Sequence, residues 1–167
     1  ALRHQSAPVL VYGEQARKNL EGSQVTEAQV AGVRAAAGVG AVGVIGEGTF
    51  TVTAKGELRD AVIFGYELGG LGAPTTLIEG RLPERDGEAV ASDHQGAKGF
   101  GLGATVRVEP GGSTITVVGV AKDASYSVAP TLFVSYPTYV AARKVRNPDA
   151  VAVLPSALGV GEVLAVV

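Results

Sequence analysis

Residues 105–121, Thr-Val-Arg-Val-Glu-Pro-Gly-Gly-Ser-Thr-Ile-Thr-Val-Val-Gly-Val-Ala, hold two strand-like runs with no helix between them. The runs 105–108 and 114–121 meet across Pro110-Gly111-Gly112, residues that turn a hairpin. A hairpin here breaks the strict strand–helix alternation of a doubly wound nucleotide fold. Further strands are expected on both sides, at 88–91 and 132–135. Ser92 with Gln95 reads as a capping box opening a short helix that stops by Gly99, and Pro137 suits the first turn of a helix running through Arg143. A strand is expected at 150–154, while 156–167 fits a helix start or an irregular tail.

Upstream the texture differs. Residues 9–12 read as a strand, and Thr26 with Gln29 forms a capping box. Val30, Val33 and Ala37 then recur at helical spacing up to Gly38, and 39–45 reads as a strand leaving that helix. Phe50, Val52 and Ala54 alternate with Thr49, Thr51 and Thr53, Lys55-Gly56-Glu57 supplies a turn, and 61–64 is a further strand. Residues 65–76, with four glycines and a proline, read as a loop. The expectation is an α+β, two-lobed chain with short helices. A small β-α-β lobe covers 1–64 and a mainly β lobe covers 77–135. Residues 136–167 return to the first lobe, and 65–76 is the crossing.

Composition narrows the function classes. The 167 residues are 46% hydrophobic and 18% charged, so the chain collapses rather than staying disordered. Fourteen Lys and Arg against 16 Asp and Glu leave a net charge of -2, which carries no nucleic-acid footprint. The 24 glycines, about twice the usual share, with 8 prolines, predict many short elements and turns. With no cysteine there is no disulfide scaffold, thiolate catalysis or cysteine-held zinc; with no methionine, the chain is expected to be processed or part of a longer protein.

Catalytic motifs fail on context. Gly38-Val39-Gly40-Ala41-Val42-Gly43 spells G-x-G-x-x-G, but a helix precedes it and a strand follows. A dinucleotide site needs the reverse order, so that pyrophosphate meets free amides at a helix start. No P-loop occurs. The chain is therefore expected to be inert and not to bind nucleotides. His94 stands beside Asp93 and Ser92, yet neighbours in sequence do not converge as a triad must, and no nucleophile elbow raises Ser92, Ser125 or Ser135. The other histidine, His4, lies near the start. The run Glu79, Arg81, Glu84, Arg85, Asp86, Glu88 reads as a solvated loop around Pro83 and Asp86-Gly87, with Glu88 starting the following strand. Arg143, Lys144 and Arg146 suit a helix C-terminus, or an anionic lipid surface. Tyr126, Tyr136 and Tyr139, near Phe133, close the edge of the core or face a partner.

One ordered series stands out. Glu79-Gly80-Arg81-Leu82-Pro83 is followed by Gly87-Glu88-Ala89-Val90-Ala91-Ser92 and by Gly101-Leu102-Gly103-Ala104-Thr105-Val106. Thr116-Val117-Val118-Gly119-Val120 and Thr131-Leu132-Phe133-Val134-Ser135 complete it. The series resembles the extracytoplasmic, MacB-like core domain of FtsX-like ABC transporter permeases, although many relatives carry Asp where this chain has Ala104. In the series, Gly80, Arg81, Pro83, Gly87, Glu88, Gly103 and Gly119 act as framework. The resemblance implies a non-catalytic domain at the extracytoplasmic face of the cell membrane, inserted between two membrane helices, without cofactor or metal. It implies as partners the permease's own membrane helices and a separate cytoplasmic ATPase. A lipoprotein, lipid or accessory protein would meet the outer surface, and nucleic acid would not. The isolated domain is expected to be monomeric. The alternatives are a stand-alone extracytoplasmic binding or adaptor domain and, less favoured, an enzyme of unknown class.

Overall fold

The longest strand binds the fold together by changing partners along its length. In the computed structural model, which describes residues 6–17, 20, 22–126, 128–150 and 152–161, nine strands join one sheet. They are β1 (Val9–Tyr12), β2 (Val42–Ala54), β3 (Glu57–Tyr66), β4 (Leu77–Gly80), β5 (Glu88–Ser92), β6 (Thr105–Val108), β7 (Thr114–Ala121), β8 (Thr131–Ser135) and β9 (Ala157–Val160). The helices are α1 (Glu27–Ala35) and α2 (Tyr136–Arg146). The strand order is β1-β9-β2-β3-β8-β5-β7-β4, and β6 pairs with both β2 and β7. Six strands therefore close a ring, β2-β3-β8-β5-β7-β6, with β4 beside β7 and β9-β1 beside the start of β2. The class is α+β.

β2 has β3 along one side from Ile45 to Ala54. Its other side pairs first with β9 (Val42–Ile45) and last with β6 (Val52–Ala54). Between those contacts the sheet forks, and its backbone groups need other partners. Ser156 Oγ accepts from Glu47 N at 3.0 Å and donates to Glu47 O at 3.3 Å, and the Tyr139 hydroxyl donates to the same carbonyl at 3.2 Å. Arg146 donates to Thr49 O and Glu109 N to Thr51 O. The fork is filled by α2.

Glycine explains how α2 comes so close. Gly46 and Gly65 are register partners on β2 and β3, and a Cβ on either would overlap Tyr139. The missing side chains leave a notch in which the Tyr139 ring lies, 1% exposed. Tyr139 meets Phe50 edge-on at 6.3 Å and shares a core with Val52, Ile63, Val106, Ile115 and Leu132. On the sheet's other face a second core gathers Ile45, Phe64, Tyr66, Val90 and Phe133.

Several expectations need correction. The expected strands 39–45 and 49–54 merge into one, β2, which starts only at Val42 and runs on through Gly46 and Gly48. The Thr26–Gln29 capping box is present, but α1 ends at Ala35 and buries no residue, so it does not pack on the sheet as a helix over 26–37 would. Ser92 caps no helix: it ends β5, its Oγ accepts from Thr131 N at 3.0 Å, and only a short 3-10 turn follows at Gly96–Lys98. The final strand is β9, not 150–154; of the described residues there, none lies in a strand. β9 lies between β1 and β2 and is antiparallel to both, so β1 and β2 run parallel with α1 in their connection.

Filling the notch should unseat α2. Gly46→Ala is expected to lower stability by about 1–3 kcal/mol through overpacking. In a Tyr139→Leu background the same change should cost clearly less, since the two sites share one contact. Urea melts of the four proteins in this cycle measure the coupling, and additivity would show that Tyr139 does not occupy the notch.

Candidate functional site

The framework residues named from sequence converge on the middle of β7, Thr116 to Gly119. Arg81 N donates to Val118 O and Gly103 N to Val117 O, while Thr116 N donates to Gly87 O. Two kinds of glycine serve here. Gly80, Gly87 and Gly103 have φ of +72°, +83° and +82°, the left-handed region that side chains resist. Gly119 has no such φ, but a Cβ there would run into the Arg81 carbonyl, so it allows β4 and the following loop to approach β7. Pro83 is buried in that loop.

The charged run is a loop exposed at Glu84, Arg85 and Asp86, with Glu88 starting the next strand as expected, and what the sequence did not show is that the Glu88 carboxylate gathers a knot of bonds. Glu88, at the first position of β5, is 6% exposed. Arg81 clasps its carboxylate through two bonds of 2.6 and 2.8 Å, Glu84 N donates at 3.0 Å, and Arg85 Nε adds a bond of 3.0 Å. The Arg81 bonds and then the Glu84 amide hold the Glu88 pKa well below the ordinary carboxylate range, against the opposing effect of burial. The same partner raises the Arg81 pKa.

A second link was not foreseen from sequence. Ser135 Oγ donates to Asp86 Oδ1 at 2.5 Å and accepts from Thr138 N at 3.2 Å, while Gly87 N donates to Thr138 Oγ1 at 3.0 Å. Ser135 is the N-cap of α2, with Pro137 in the first turn. The pattern Ser-Tyr-Pro could have signalled that cap, but not its tie to Asp86.

The remaining candidates separate. Tyr139 is inside the core and offers no surface to a partner. Tyr136 is half-buried, tilted against Tyr139 at 5.8 Å, and burial raises its pKa to about 12. Tyr126, also half-buried, meets Phe64 edge-on at 5.3 Å. His94 stands 3.1 Å from Asp93 in an exposed turn with φ of +64°, not on a helix. His4 lies outside the described residues. Arg146 stacks over Phe50 at 4.9 Å, and Arg143, Lys144 and Arg146 occupy the last turn of α2. The hydroxyls of Ser92, Ser135 and Ser156 each accept from a backbone amide, a scaffold role rather than a nucleophile's. Among the described residues no three His, Asp or Glu gather as metal ligands, and no helix is long and apolar enough to cross a membrane.

No family model and no curated protein matches the sequence. Solved structures do match the fold. The periplasmic region of MacB from Actinobacillus actinomycetemcomitans is similar with a TM-score of 0.64 at 16% identity, over 95% of this chain and 74% of that one. The extracellular domain of the noncanonic ABC-type transporter YknZ from Gram-positive bacteria aligns with a TM-score of 0.58 at 18% identity, over 90% of this chain and 80% of that one. A domain described as that of a permease protein from Porphyromonas gingivalis gives 0.52 at 20% identity, over 74% of this chain and 56% of that one.

The two glycine roles predict opposite tolerances. Gly103, with open space around it, should accept Asn with little loss but lose about 1–3 kcal/mol as Val. Gly119→Ala should cost at least as much as Gly103→Val despite its ordinary φ. Denaturant melts of the three variants check this ranking.

The Glu88 knot predicts a pH dependence. Its folded-state pKa is depressed, so its stabilisation is full above the ordinary glutamate value of about 4.3 and is lost as pH falls below that. Glu88→Gln should lower the urea midpoint at pH 7, and the gap from the parent should narrow between about pH 4.3 and pH 3.

Proposed function

We propose that the chain is a non-catalytic extracytoplasmic domain of an ABC transporter permease, moving with the membrane helices that flank it. The observation that carries this proposal is the pairing of the first and last strands. Val9, the first residue of β1, stands opposite Val160, the last of β9. The backbone thus arrives and departs side by side, as a domain inserted between two consecutive membrane helices requires. The fold shared with periplasmic and extracellular transporter domains supports the same conclusion.

In this proposal the fold has two lobes, 1–64 with 136–167 returning to it, and 77–135. The return is supported by β9 lying between β1 and β2. The permease's membrane helices, and through them a cytoplasmic ATPase, are the partners on the side of the chain ends. A lipoprotein, lipid or accessory protein meets the outer surface. The framework residues, led by Arg81, Glu88 and Gly119, keep the domain stiff enough to move as one body.

These 167 residues hold no cysteine, so an introduced thiol reports on this domain once any cysteines elsewhere in the full-length product are replaced by serine. Leu58 is well exposed on β3, near the hairpin remote from the chain ends. In the full-length gene product, Leu58→Cys should react with a membrane-impermeant maleimide in intact cells, or in spheroplasts where an outer membrane intervenes. Labelling only after lysis would place the domain in the cytoplasm and overturn the proposal.

A further inference from the structure

The unpacked helix α1 borders a groove of about 730 Å³, within the range of roughly 300–1,000 Å³ typical of ligand pockets. Glu27, Val30, Ala31 and Arg34 line one wall. Their spacing of i, i+3, i+4 and i+7 makes them a single stripe, apolar in the middle and oppositely charged at its ends. Residues 152–155 form another wall, with Val44 of β2 and Tyr136 of α2 between. Neither Glu27 nor Arg34 forms an ion pair with any described residue.

The wall at 152–155 has the sequence of a strand and lies in none. Val153 O accepts from the Tyr136 hydroxyl at 3.5 Å, and Pro155 O accepts from Val25 N at 2.8 Å, which tie the segment to α2 and to the approach to α1 alongside the groove. Among the described residues no backbone–backbone bond occupies 152–154, so its backbone groups can pair with an incoming chain as those of a sheet edge do in β-augmentation. We propose that the groove binds a short apolar peptide in extended form, paired along 152–154, its amino group at Glu27 and its carboxylate at Arg34.

Charge selects this occupant. An anionic amphiphile would satisfy Arg34 but set its tail beside the Glu27 carboxylate, and a cationic one would do the reverse at Arg34. A zwitterion satisfies both. Seven helical residues separate the two charges by about 10 Å, which an extended peptide of about three residues spans. The inference is independent of the transporter proposal, because the binding is a property of this chain alone.

The test is calorimetric titration of the 167-residue chain with Leu-Val-Leu bearing free termini. Saturable one-to-one binding is expected. The acetylated and amidated peptide should bind about threefold to fivefold more weakly, the scale of exposed charge pairs. Arg34→Glu should weaken the free peptide while leaving its C-terminal amide unaffected. Ala31→Trp should abolish binding with an unchanged circular dichroism spectrum; if that variant misfolds, the exposed-site Arg34→Glu comparison decides alone. No saturation by about 1 mM, equal affinity for the blocked peptide, or tighter binding of octanoate than of Leu-Val-Leu would each overturn the proposal.

Discussion

The docking of Tyr139 between Gly46 and Gly65 is the contact on which the other elements depend. Two paired residues without Cβ atoms leave a depression one ring deep in the sheet, and only there can a helix approach closely enough to serve the forked edge of β2. Once the ring is seated, Ala142 joins the core below it and Arg146 reaches the Thr49 carbonyl. The fork itself lets β9 join the start of β2 while β6 closes the ring at its far end. A bulky pair at 46 and 65 would hold the helix off and leave those carbonyls without their partners.

The Arg81–Glu88 knot connects to the same helix by another route. A buried carboxylate is costly unless its lone pairs are occupied. Here two arginines and a backbone amide supply four short bonds within one loop. Asp86 and Gly87, inside that loop, reach Ser135 and Thr138 at the start of α2. The loop between β4 and β5 and the helix after β8 are thus fixed to each other through hydroxyls. The charged loop and the glycine notch position α2 from its N-terminus and from its inward face.

Local chemistry made much of this legible. Thr26 and Gln29 mark a capping box, Lys55-Gly56 turns a hairpin with both residues at positive φ, and Pro137 opens a helix. The ordered glycine and Arg-Glu motifs pointed to a fold that the solved structures share. What escaped was long-range pairing. Whether 150–154 or 157–160 becomes a strand depends on which stretch reaches β1 and β2, and both are apolar enough to do so. Ser92 looked like a cap because Gln95 stands three residues on, but its hydroxyl is taken by Thr131 in a neighbouring strand. Glu88 was legible as the start of a strand, but its burial was not, since that depends on where two arginines fold back. Tyr139 is aromatic like Tyr126, and only the two distant glycines show that it belongs inside.

The pairing of β1 with β9 also has a mechanical meaning. The backbone leaves both strands at the same end of one antiparallel ladder, at Val9 and Val160. Drawing those two points apart would load the ladder bonds one after another, like opening a zipper, rather than all at once in shear. Resistance to separation at the base is therefore low, while tilting or lifting both points together leaves every rung unloaded. A ladder loaded in this way follows concerted motion of its two ends and yields to their divergence.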